Sequence, residues 1–212
     1  MILRLPYGRD SLAADLRGLR CHPLEPSAPK AHHSAADLVA AALDHPLVGP
    51  PLAEVVRHGR NVTVLVPDAS RKAWLPEVLP EVLRRILGAG RAPEDVTVLV
   101  ACGSHAACSS EDLAELLGTL PDGVKAAQHH ARDGRTLLQA GSSRRGLEIR
   151  LHRAVLEADR VITLSAVQHH YFAGFGGGPK MIFPGVAGYE EIQANHAQVI
   201  DLSASPPRRH PS

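Results

Sequence analysis

Aromatic residues are scarce: three Phe, three Tyr and one Trp supply 3% of the 212 residues. A core must therefore be built from Leu, Val, Ile and Ala, which suits buried parallel strands covered by helices. An excess of charge of either sign is also missing. With 23 Lys and Arg against 22 Asp and Glu, the net charge is +1 and the arginines are scattered among acids. Nucleic acid is not an expected partner, because a phosphate backbone demands a basic face. No apolar run nears the ~18 residues of a membrane span, and MILRLPYGRD has no signal-peptide core. No membrane association is expected, and the chain is placed in the cytoplasm. Cys21, Cys102 and Cys108 are odd in number and lack CxxC spacing, which excludes a disulfide framework and a zinc knuckle. No HExxH occurs either, so a zinc hydrolase is not supported.

What is present is an alternation of strand and helix patterns. Met1 to Tyr7 alternates as a strand, and Gly18 to Pro29 reads as an irregular connection. Ser34 is placed to cap the amphipathic run AADLVAAALDH, and a short helix follows over Leu52 to His58. NVTVLVPD (Asn61 to Asp68) and VTVLVACGSH (Val96 to His105) are β-branched runs of buried strands, separated by the helix LPEVLPEVLRRILGAG. SSEDLAELL reads as a capped helix, Val124 to Gln128 as a weaker strand, Leu147 to Leu151 as another, and Ala154 to Ala158 as a short helix. DRVITLSA (Asp159 to Ala166) is the third strong strand, and VAGYEEIQANHAQVI is a helix. The expected fold is α/β: a parallel, Rossmann-like sheet with helices on both faces. Ligands in such folds sit beyond the carboxyl ends of the strands, where Asp68, His105 and His170 fall.

The stretch from Ser165 to Ile200 has a composition that no core requires. It carries His169 and His170, four glycines in five positions (Gly174, Gly176, Gly177, Gly178), Lys180 behind Pro179, and later His196. Such glycine density marks positive φ or a close backbone approach. A phosphate-cradling GxxxxGK[ST] loop is not matched, since Pro179 stands before the lysine and Met181 after it, and proline offers an anion no N–H. A lysine among glycines with imidazoles on either side suits a covalent amine linkage or a cofactor anchor beside a metal.

The run HHYFAGFGGGPKMIFPG followed by ANH resembles the signature of the nickel-pincer lactate racemase family, which reads H-x-F-A-G-F-S-G-G-x-K, then P-G and A-N-H. The resemblance extends to DASRK, where the family shows D-x-T-R-P and Lys72 replaces the proline, and to ACGSHAA, where the family shows T-G-x-H-R and Ala106 replaces the arginine. It implies that Lys180 carries a nickel-pincer nucleotide, a pyridinium mononucleotide tethered through a thioamide, with Gly176, Gly177 and Gly178 forming its loop. It further implies that His196 ligates nickel, that His105 and His170 are the proton-transferring bases, that Arg71 clamps the substrate carboxylate, and that Asp68 orients a neighbouring histidine. The implied reaction is racemisation or epimerisation of a small 2-hydroxy acid by hydride shuttle. His129 and His130 resemble an H-D pair of the family and are given no catalytic role.

The resemblance covers residues 1 to 200. Residues 201–212, polar and rich in proline, are expected to form a disordered tail. Family members carry a second α/β domain, so a missing partner domain is expected, together with dependence on cofactor-making enzymes. The isolated chain is then an incomplete isomerase. A non-catalytic nucleotide- or phosphate-binding α/β module, or an inactive fragment, remains the alternative. Of the other histidines, His22, His32, His33, His45, His58, His152 and His210 sit in polar or Pro-flanked segments and are expected on the surface.

Overall fold

The computed structural model describes residues 1–8, 10–22, 33–71, 73–170 and 173–198. The expected tail, the replacement at Lys72, and His32 and His210 lie outside the described residues. The chain divides into two compact units, Met1–His32 and His33–Ser212.

The first unit is an antiparallel hairpin of β1 (Ile2–Tyr7) and β2 (Asp10–Asp15), in which Leu5 pairs with Leu12 and Leu3 with Ala14. The β2 strand, DSLAAD, gives no strand signal in the sequence; its extended form follows from pairing with β1.

The second unit opens with α1 (Ala35–Asp44), capped by Ser34, whose hydroxyl accepts from Asp37 N–H. The short α2 (Leu52–Val55) leads to β3 (Val62–Pro67), α3 (Leu75–Gly88), β4 (Val96–Ala101), α4 (Ser110–Leu117) and β5 (Lys125–Gln128). An antiparallel hairpin follows, β6 (Leu137–Ser142) and β7 (Glu148–His152), then α5 (Arg153–Leu156) and β8 (Arg160–Thr163). A two-residue hairpin, β9 (His169–His170) and β10 (Gly174–Phe175), precedes a 3-10 turn over Gly178–Met181 and α6 (Tyr189–Ala197). The third strong strand therefore stops at Thr163 rather than Ala166.

Four parallel strands form the central sheet in the order β5-β4-β3-β8, with Val62 beside Val96 and Val62 beside Arg160. Every residue of β3 is buried, which is why its sequence is apolar apart from Thr63, whose hydroxyl donates to Ala154 O at 2.6 Å. The period of two still divides the strands between faces. Val62, Val64, Val66, Val96, Val98 and Val100 pack with Leu75, Leu79, Leu83 and Ile86 of α3 and with Leu117 of α4. Leu65 and Leu99 face the other way, onto Val155, Met181 and Val186. Full helices cover the first face. The second is sealed by α5 and by the 3-10 turn with the segment behind it, so Met181 and Val186, which follow the glycine-rich stretch, are part of the core.

The β6–β7 hairpin ties α6 to the body of the unit: His152 N–H donates to Val186 O (2.9 Å) and Gly188 N–H to Arg150 O (3.1 Å). His152 is consequently buried, at 7% exposure, and its expected surface position is corrected. Val186 packs over β7 from far along the chain, so the polar neighbours of His152 in sequence are uninformative. His22, His33, His45 and His58 are exposed as expected. All three cysteines are free thiols; Cys102 is buried in the first core cluster, where burial pushes its thiol up to about 12. Among the described residues no helix is long and apolar enough to cross a membrane.

Candidate functional site

Asp68 is the first residue beyond β3 and is buried. Ser70 N–H and Ser70 Oγ donate to its Oδ1 at 2.8 and 2.5 Å, and Arg71 N–H donates to its carbonyl at 3.0 Å, winding the chain into a tight turn that presents Arg71. Its Oδ2 meets Nδ1 of His105 at 2.7 Å. Burial alone would raise the Asp68 carboxyl, but the hydrogen bonds from Ser70 and His105 outweigh it and hold the pKa below the ordinary value. An ionised Asp68 accepts the Nδ1 proton, which leaves Nε2 of His105 as the ring's basic nitrogen. His105 is positioned by its own N–H, which donates to Cys102 O at 2.9 Å just past β4.

The opposite wall comes from the residues after β8. Gly176 N–H donates to Gln168 O (2.7 Å) and Gly178 N–H to Ser165 Oγ (3.1 Å), folding the glycine run back on the strand exit. Gly177 has φ +80°, and a Cβ there would lie 2.7 Å from Ala166 O and 2.8 Å from Ser165 Oγ. Only glycine permits that approach. The 3-10 turn then carries Lys180 at half-burial. Burial, followed by the charge of Arg71, holds its ammonium below the usual lysine range. His170 is shifted down as well, by burial first and then by Lys180, Arg71 and His196. These mutual effects place Lys180, Arg71, His170 and His196 in one field.

The turn at Pro184 and Gly185 joins the two walls. Gly103 N–H, beyond β4, donates to Gly185 O at 2.8 Å, and Gly185 N–H donates to Lys180 O at 3.0 Å. A side chain at Gly185 would overlap the carbonyls of Met181 and Lys180. From there α6 carries His196 to the pocket. The start of α6 is fixed by Arg150, which donates to Glu191 and, at 2.6 Å, to Glu190, and by Arg132, stacked 3.3 Å from the centroid of the Tyr189 ring. Buried His129 donates Nε2–H to Ala187 O at 2.9 Å, and its rings and those of His152 meet edge-on with centroids 5.9 Å apart.

These elements enclose a pocket of about 180 Å³ at the carboxyl edge of the sheet, and Asp68, Arg71, His105, His170, Lys180 and His196 all line it. Gly176 and Gly177 line it too, whereas Gly178 is set behind the wall with its N–H on Ser165. Ser104, Ser165, Gln168 and Ile192 also face the pocket and were not singled out by sequence reasoning. Ser165 offers a signal in hindsight: it is a hydroxyl at a strand exit facing a glycine run in need of an acceptor. Among the described residues no three His, Cys, Asp or Glu groups are placed to hold a metal ion.

The sequence matches the family described as the lactate racemase N-terminal domain over residues 7–206. Curated relatives include the lactate racemase of Thermoanaerobacterium thermosaccharolyticum, 27% identical over 92% of this chain, and that of Lactiplantibacillus plantarum, 28% identical over 91%. This chain spans about half, 46%, of the length of each. Among solved structures, the lactate racemase apoprotein from T. thermosaccharolyticum superposes with a TM-score of 0.80 at 27% identity, over 92% of this chain and 46% of that one. A protein from Thermotoga maritima, 20% identical, shares the fold with a TM-score of 0.62 over 74% of this chain and 40% of its own. With a family match spanning nearly all of the sequence and a fold that agrees with it, the chain belongs to the lactate racemase N-terminal domain family.

Proposed function

We propose that the chain is the N-terminal catalytic half of a 2-hydroxy acid racemase or epimerase that works with a nickel-pincer nucleotide attached to Lys180. The observation that carries this reading is the convergence of Asp68, Arg71, His105, His170, Lys180 and His196 on one pocket from separate elements of the fold.

The donor set fits the group. The described residues offer no chelating trio, so a bare divalent ion has no protein cage, whereas a metal that arrives with its own ligands needs only one imidazole, His196. An amine held below the usual lysine range by burial and by Arg71 is more often neutral, as formation of an acyl or thioacyl link requires. Gly176 and Gly177 keep side chains out of the wall next to the anchor. When bound, the cofactor supplies a pyridinium carbon able to accept and return the hydride of the substrate Cα.

The protein's own residues bind, orient and move protons. Arg71 pairs with the substrate carboxylate through its planar fork. His105 takes the hydroxyl proton at Nε2 while Asp68 holds its tautomer and stabilises the imidazolium that forms. His170, whose pKa is lowered, stays neutral near pH 7 and serves as the second base, arriving from a different strand exit. The pocket needs a second α/β domain to exclude water during turnover.

The test is intact mass of the chain co-expressed with the cofactor-making enzymes. An adduct accompanied by one nickel, and lost in Lys180→Ala, is expected. Stoichiometric nickel and an unchanged mass increment on Lys180→Ala protein would refute the anchor, and the absence of any adduct on the wild-type chain would favour a plain binding module.

A further inference from the structure

The Met1–His32 unit presents a surface that the proposed chemistry does not use. Side chains directly opposite in an antiparallel pair share a face. The register therefore sets Leu3, Leu5 and Tyr7 of β1 on the same face as Leu12 and Ala14 of β2. The other face carries Arg4, Ser11 and Asp15 along with Ile2, Pro6 and Ala13. This is the pattern of a sheet with one side meant for burial. Yet Leu3, Leu5, Leu12 and Tyr7 are 40%, 45%, 56% and 73% exposed. A two-stranded hairpin is marginal by itself in water, so this face requires a cover.

We propose that this face is the docking surface for the second folded domain, the one that accounts for the remainder of the relatives' length. The inference rests on the functional reading above. Two observations select this occupant. The relatives align with 92% and 91% of this chain but extend to about twice its length, so a covering body of domain size exists in them. The stripe is also apolar and nearly uncharged, carrying only Asp10 at its Tyr7 end, so its complement is an apolar patch on a folded surface rather than a charged segment.

The experiment measures binding, by analytical ultracentrifugation, between this chain and the C-terminal half of the T. thermosaccharolyticum lactate racemase supplied in trans. The wild-type chain binds. Leu5→Asp and Leu12→Asp each weaken binding at least tenfold, while Ser11→Asp on the opposite face leaves it within twofold. The thermal unfolding curve of each variant shows whether it is folded, and amide exchange over residues 2–15 reports the hairpin directly, with protection that rises on binding. No binding by the wild-type chain, equal binding by the Asp variants, full protection of the hairpin in the isolated chain, or a homodimer dissolved by the same substitutions would overturn the proposal. Cofactor attachment at Lys180, read by mass in the same variants, separates the two readings. Docking that fails beside an intact adduct sinks only the surface, and an adduct that fails beside normal docking sinks only the chemistry.

Discussion

Replacing Arg150 with Met tests how the helix that carries His196 is held. The Glu191 side chain is 5% exposed and its partner Arg150 38% exposed, with Nε and Nη2 both donating to that carboxylate and Nη2 also to Glu190. Stranding a fully buried charge costs about 3–5 kcal/mol, and losing an exposed pair costs about 1 kcal/mol or less. A buried carboxylate whose partner is more than a third exposed falls between these, at about 2–3 kcal/mol. For a protein of this size that lowers Tm by about 4–12 °C. The pH dependence carries the sign. Burial pushes the Glu191 carboxyl up, but the hydrogen bond from Arg150 outweighs it and leaves the folded pKa lowered. The stability contributed by this group is therefore present above the ordinary carboxylate value and lost as pH falls through the lower folded one. Without the Arg150 side chain only backbone N–H bonds oppose the burial effect, and the pKa rises. The deficit of Arg150→Met relative to wild type should be largest near neutrality and shrink towards about pH 4, where the stranded carboxylate takes a proton. Adding Glu191→Gln should recover most of the loss at neutral pH. Thermal unfolding of the wild type and the two variants at two pH values is sufficient. A Tm unchanged at neutral pH, or a deficit that widens in acid, would refute the argument.

Gly177→Ala should destabilise by about 2–3 kcal/mol in urea titration, given its glycine-only backbone and the contacts a Cβ would make. Gly176→Ala, with only an ordinary 3.6 Å contact to Gln168 O, should stay within about 0.5 kcal/mol. Burial holds His129 at about 4, below its unfolded value of about 6.5, so the unfolded state binds its proton first. Stability should then fall by roughly 3 kcal/mol between those two pH values, and His129→Gln, which keeps a donor for Ala187 O, should flatten the curve. Arg71→Gln should slow acylation of Lys180 by an amine-reactive ester at about pH 8, because removing the neighbouring charge returns the ammonium towards its usual range; peptide mapping reads the site. The cofactor-loaded chain alone should show no enzyme-like racemisation of 2-hydroxy acids and should gain it when a second α/β domain is added; turnover without that domain would contradict the need for a closed site.

Much of this architecture is legible in the sequence because a buried parallel strand leaves a run rich in β-branched residues, as in VTVLVP and VTVLVA. The caps at Ser34 and Ser109 are equally plain, since both bond an N–H three residues on. The strand-end rule locates Asp68 and His105 without any relative to consult. Illegible elements are those whose conformation is imposed from afar. DSLAAD and LLQAGS become strands only through their antiparallel partners, the latter with an irregularity at Gly141. Buried His152 bonds through its N–H to Val186 O and meets the ring of His129, and no local pattern announces contacts across so much chain. The site follows the same division. The residue types of the pocket can be read from motifs, but the bond from Gly103 to Gly185 that joins its two walls cannot.

The participation of the Lys180 segment in the core bears on how such sequences lose activity over evolutionary time. Met181 and Val186, which flank the Lys180-to-helix path, pack against Leu65 and Leu99 of the sheet, and Gly177 and Gly185 sit where no side chain fits. Selection for a folded protein alone would preserve these positions in a descendant that had abandoned catalysis. Survival of the glycine signature in a divergent homologue is thus evidence of an intact fold. Under the function proposed above, the exposed side chains of Arg71, His105 and His196, which the core does not need, are the places where decay of function would first be written.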